Sequence, residues 1–119
     1  MTPSTRFFRD TVTGLGATVF LAPVDCLDLQ QVSYHHSWAG TAEGGCIYQM
    51  SNDPLVKTDP TNAKWIGFDP DPIYGNTTFG GGAGQQAVVI RQLLRWLRCS
   101  LVNTSGFSTV TTWTHGRNL

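Results

Sequence analysis

Three cysteines, Cys26, Cys46 and Cys99, and three histidines, His35, His36 and His115, are the side chains here best suited to nucleophilic or metal chemistry. Their spacing argues against both. No Cys-x-x-Cys pair occurs, and no cysteine–histidine group stands at the spacing of a zinc site. His35 and His36 are adjacent, so on a strand they point to opposite faces and cannot chelate one ion as a pair. The expectation is therefore no metal set and no cofactor. Any of the cysteines could be matched with a histidine as nucleophile and base, but none sits in the context of a strained elbow. No catalytic residue and no enzyme is expected. The cysteines read instead as buried thiols of a protein made in a reducing cytoplasm, and His36 as a buried, hydrogen-bonded histidine beside Tyr34 and Trp38.

The other chemical candidates weaken in the same way. Asp69 and Asp71 would share a face in an extended chain, which is how a glycosidase pair is built. Pro70 and Pro72 make that stretch a turn-rich loop instead. An aspartate-rich segment suits calcium better, because hard cations want several oxygens, yet no D-x-D-x-D-G loop is present. The run Gly80 to Gly84 lacks the lysine and hydroxyl residue of a phosphate loop. It reads as a segment that bends or lets another chain segment come close. Trp38, Trp65, Trp96 and Trp113 either stack on sugar rings or fill a core. Two or three of the four are expected inside. Trp113 stands opposite in parity to Val110 and Thr112 and is expected to face outward or toward a partner, where a glycan is the ligand class that suits it.

The elements that must position these residues are strands. In residues 31–38, Val32, Tyr34, His36 and Trp38 fall on one face, and Gln31, Ser33, His35 and Ser37 on the other, the period of a half-buried antiparallel strand. Residues 45–51 alternate likewise, with Cys46, Tyr48 and Met50 on one face. The glycine-flanked connection between them predicts a hairpin. Further strands are expected at 9–13, 17–22, 85–91, 95–103 and 108–115. In 95–103, Leu97, Cys99 and Leu101 share a face. Residues 88–97 would also suit an amphipathic helix, but the β-branched run before and the alternation after favour strand. Residues 53–86 carry four Asp-Pro steps and read as an irregular insertion with one strand-like piece at 63–68. Residues 1–8 read as an extended arm, and 9–119 as one domain: an all-β antiparallel sandwich, jelly-roll-like, of about seven or eight strands.

Composition bounds the partners. Lys plus Arg equals Asp plus Glu at 8 each, and charged residues make up only 13% of the chain. Nucleic acid is excluded as the main partner, because phosphate binding needs a basic surplus. Arg91, Arg95 and Arg98 read as a solvated or ion-paired edge. No apolar run is long enough to span a membrane. A neutral, weakly charged surface favours association with other proteins or with copies of itself.

The ordered set Trp38-Ala-Gly-Thr41, Ser51-Asn-Asp53, Trp65, Arg95-Trp-Leu-Arg98 and Thr104-Ser-Gly106 resembles small β-sandwich virion proteins of tailed bacteriophages. The likeness spans roughly residues 15 to 116. It implies a structural role as a capsid decoration or cement protein contacting the major capsid protein, or as a tail or head-tail component. It also implies a virion location after synthesis in the host cytoplasm, a symmetric oligomer with a trimer favoured, and no transferred catalytic residues. Contacts with partners are expected where the core logic is weakest: Phe7 and Phe8 on the arm, Asp69, Tyr74, Phe79 and Gly81 in the irregular stretch, and Trp113.

Overall fold

The computed structural model describes residues 5–12, 18–40, 43–70, 72–75, 78–80, 83–105 and 108–118. The described residues form two antiparallel sheets packed as a sandwich, and none of them is in an α-helix. The front sheet has the order β1 (Thr5–Val12), β11 (Ser108–Arg117), β4 (Gln31–Gly40), β9 (Gly84–Ile90) and β7 (Pro72–Gly75). The back sheet centres on β10 (Trp96–Ser105) beside β5 (Glu43–Ser51). Two short strands, β2 (Val19–Phe20) and β3 (Val24–Asp25), pair with β10. Two others, β6 (Ile66–Phe68) and β8 (Thr78–Gly80), pair with β5.

Alternation predicts the core well. Val32, Tyr34, His36 and Trp38 of β4 are all buried, as are Leu97, Cys99 and Leu101 of β10 and Tyr48 of β5. Val88, Ile90, Val110, Thr112 and Thr114 complete the inner face of the front sheet. The tryptophans correct the expectation for them. Only Trp38 is in the core; Trp65 and Trp96 are half-buried and Trp113 is 37% exposed.

The predicted hairpin is not one. β4 and β5 lie in different sheets. β4 pairs with β11 and β9, and β5 with β10, β6 and β8. The chain leaves the front sheet at Gly40 and enters the back sheet through Glu43 to Gly45. Gly40 (φ 133°) and Gly44 (φ 146°) adopt backbone angles that side chains disfavour. The glycines that suggested a tight turn instead permit a crossing between layers. Gly84 serves a different end. It is registered with Trp38 on β4, and a Cβ there would lie 2.6 Å from Cζ2 of the indole. The absent side chain is what lets Trp38 lie flat across the strand.

Two boundaries also move. The first strand begins at Thr5, so Phe7 and Phe8 belong to an edge strand registered with His115 and Thr114 rather than to a free arm. Residues 53–86 are more ordered than their prolines suggest, since they hold β6, β7, β8 and a 3-10 turn at Pro54–Lys57. Asp53 organises that turn: its carboxylate accepts from the Leu55 N–H at 2.9 Å and from the Lys64 N–H at 3.0 Å. These backbone donors, Leu55 first, hold its carboxyl below the usual value. Residues 88–97 form no helix; β9 ends at Ile90 and β10 starts at Trp96.

Candidate functional site

A polar cluster sits between the sheets where an apolar core would be expected. His36 of β4 points inward and is fully buried. Its Nδ1 is 2.7 Å from Oγ1 of Thr112 on the neighbouring β11, and its Nε2 is 2.9 Å from the Tyr48 hydroxyl across the sandwich. Tyr34 stacks on the imidazole, with ring centroids 5.8 Å apart and planes within 10°. Cys99 Sγ lies 3.9 Å from His36 Nε2. Cys46 completes the group. Its strand partner is Leu101, while Cys99 is partnered by Tyr48, so the two cysteines are diagonal neighbours on adjacent strands. The His36 ring nitrogen and both sulfurs fall within 4.8 Å of one another.

All three cysteines are thiols, as expected. Burial differs among them, and so does their chemistry. Cys99 is fully buried, and that desolvation pushes its thiol well above the ordinary value. Cys46 is half-buried. A hydrogen bond from Cys99 is the main reason its thiol is pulled down to about 5, with His36 and Tyr48 adding to the effect against burial. Tyr48 stays protonated, because burial raises its phenol far above the ordinary value. The cluster therefore concentrates one thiolate on Cys46, supported by a protonated thiol and a phenol. In metal-free buffer, alkylation of Cys46 should hold a near-constant rate as the pH falls from 8 and drop only near about 5. An ordinary thiol, with a pKa of about 8.5, loses reactivity roughly tenfold per unit below that value. Cys99→Ala, which removes the donor, should move the fall in rate toward neutral pH. An ordinary thiol profile for Cys46 in the unaltered protein would overturn this reading.

The sequence separates these residues widely, and parity alone could not unite them. It does set His36 on a core stripe, and puts Cys46 with Tyr48, and Cys99 with Leu97 and Leu101, on one face of each strand. It is silent on which faces oppose each other, so the absence of a zinc spacing in the sequence does not reveal this grouping in three dimensions. His35, on the other face of β4, bonds Gln85 at 2.7 Å and lies 4.9 Å from the Trp113 ring.

The outer face of the back sheet is the second feature. The Arg98 guanidinium is held between the Phe20 ring at 4.4 Å and the Trp65 ring at 4.1 Å. Its Nε donates to Gln49 Oε1 at 2.7 Å. Such stacking suits a weakly hydrated planar cation. Arg95 pairs with Asp25 through two bonds of 2.7 and 3.1 Å, as an ion-paired edge predicts. Phe20 is 56% and Ile47 48% exposed. A shallow groove of about 250 Å³ runs past Phe20, Pro23, Pro60 and Arg98.

The residues expected to touch partners do not form one patch. Phe7 and Phe8 lie on β1 and Tyr74 on β7, the two opposite edges of the front sheet. Phe79 lies on β8, at the back sheet. Asp69 is an exposed residue between β6 and β7, and Trp113 is exposed on the outer front face. Gly81 and Asp71 lie outside the described residues. Phe20 and Ile47 are not singled out by the sequence, and Arg98 reads there only as part of a solvated or ion-paired edge. The signal was present in the outward parity of Arg98 on its strand, but β2 was too short to orient Phe20. No helix among the described residues is long and apolar enough to cross a membrane. No known protein family matches the chain, and no curated protein matches it in sequence.

Proposed function

We propose that the chain is a structural protein of a tailed-phage virion, a decoration or cement protein that binds the major capsid protein on the particle surface as a symmetric oligomer, a trimer by preference. The observation that carries this reading is the outer face of the back sheet. Phe20 and Ile47 are exposed there around a stacked Arg98, in a chain of zero net charge. Exposed aromatics and a desolvated arginine are what the centres of protein interfaces are made of. The chain passes repeatedly from sheet to sheet, staying in the back sheet at β2–β3 and β5–β6, so that β1, β4, β9 and β11 face β2, β5 and β10. That alternation supports a jelly-roll reading of the sandwich, an architecture used by viral capsid proteins and lectins. Copies would bridge capsid subunits, with many weak contacts summed over the lattice.

Purified particles should carry the chain at a copy number comparable to that of the major capsid protein. Phe20→Asp with Ile47→Asp should abolish that occupancy while the circular dichroism spectrum and unfolding midpoint stay close to those of the unaltered chain. A copy number matching a single tail or portal ring would favour a tail or head-tail component instead. Full occupancy by the double variant would remove the back sheet from the contact.

The Trp113–His35 pair on the front sheet supports a second reading, a glycan-binding module on the virion surface. A glycan-array signal lost in Trp113→Ala would favour it.

A further inference from the structure

We propose that His36, Cys46 and Cys99 form a binding site for a soft divalent metal ion of the Zn2+ class, held between the two sheets. Nothing in the virion reading requires such a site, and the two stand or fall separately.

Three strands from two sheets deliver one ligand each: β4, β5 and β10. Around tetrahedral zinc, with Zn–S near 2.3 Å and Zn–N near 2.0–2.1 Å, neighbouring ligand atoms stand about 3.5–3.8 Å apart. Here the ligand atoms all lie within 4.8 Å, and Cys99 Sγ is 3.9 Å from His36 Nε2. Closing onto an ion therefore asks for side-chain shifts of less than about 1 Å, with no strand moved.

The imidazole is already oriented for the task. Nδ1 lies 2.7 Å from Thr112 Oγ1, so with an ion on Nε2 the ring carries its proton on Nδ1 and Thr112 accepts it. In the metal-free protein Nε2 is hydrogen-bonded to the Tyr48 hydroxyl at 2.9 Å. An ion would take its place. The Tyr48 hydroxyl, also within hydrogen-bonding reach of Cys46, then donates to that thiolate. Both cysteines bind as thiolates, so any proton still on either sulfur is released as the ion binds. Two thiolates neutralise a divalent charge, so the occupied site carries no net buried charge. The donor set selects against hard cations, since no carboxylate belongs to the group. Cys46 is half-buried, which gives an ion a way in, and three protein ligands leave the fourth position for water or a partner's side chain.

The probe is Co2+, titrated into chelator-treated chain. One equivalent should produce a thiolate-to-cobalt charge-transfer band and the strong visible bands of tetrahedral cobalt, and Zn2+ should abolish both. Cys46→Ser should lose the charge-transfer intensity, while Cys26→Ser, outside the group, should keep it. Thr112→Val should weaken Zn2+ binding by about 10–100-fold without removing a ligand. X-ray absorption of the zinc-loaded unaltered chain needs no variant and should find two sulfurs at about 2.3 Å with at least one lighter ligand. The proposal is overturned by no cobalt spectrum at stoichiometric metal, by a spectrum that survives Cys46→Ser, by one lost equally in Cys26→Ser, or by a zinc shell without two sulfurs.

Discussion

Replacing His36 with leucine should lower the unfolding free energy of metal-free protein by about 2–6 kcal/mol, read from urea denaturation at neutral pH. The imidazole bonds Thr112 and Tyr48 at once, both in the closed interior. Leucine removes the one partner that serves both and costs two buried hydroxyls that bond, each loss about 1–3 kcal/mol. A domain of this size is stabilised by only about 5–15 kcal/mol, so the variant should be close to unfolding at 37 °C. Adding Thr112→Val should recover part of the loss, because it removes one orphaned group rather than a second contact. A loss below about 1 kcal/mol would mean that the hydroxyls find other partners or water.

Leu97→Ala should be comparably damaging, for a different physical reason. Leu97 is fully buried on the central strand of the back sheet, registered with Val24 on one side and Met50 on the other. Its side chain therefore fills the space under three strands. Truncating such a residue costs about 2–5 kcal/mol, the upper part of the range applying where the surroundings cannot collapse. Hydrogen-bonded ladders on both flanks restrain that collapse. The denaturant midpoint should fall with an unchanged slope, since the unfolded surface is nearly the same. A steeper or shallower slope would instead indicate that the back sheet no longer unfolds together with the front.

Both effects concern positions that strand parity identified as inward. Parity works because a residue slip would turn every side chain of a strand to the wrong face. It was therefore a dependable guide to Val32, Tyr34, His36, Trp38, Leu97, Cys99 and Leu101. It failed at the layer above. Whether Gly40 and Gly44 close a hairpin or carry the chain to the other sheet depends on backbone angles and on partners far along the chain. Neither is written in the local pattern. The cluster of His36, Cys46 and Cys99 depends on that crossing, so it was illegible even though each member was assigned the correct face. Residues 53–86 misled in the opposite direction. Four Asp-Pro steps suggested disorder of the pattern, whereas Asp53 caps a turn with its carboxylate and short edge strands use the intervening residues.

The front sheet pairs β1 with β11, so that Thr5 stands opposite Arg117 and Val12 opposite Val110. In a nascent chain this ladder cannot form until residues 108–117 have left the ribosome. Among the described residues β11 is the one neighbour of β1 in the sheet order, so β1 waits as a strand with neither side satisfied. Topologies dominated by such distant pairings fold in milliseconds to seconds rather than microseconds. Synthesis and folding are thus ordered in time: the back sheet, whose β5 and β10 precede β11, can assemble first, and the front sheet closes over His36 and its sulfur neighbours last. Any ion or proton destined for that cluster has its widest access before β11 docks.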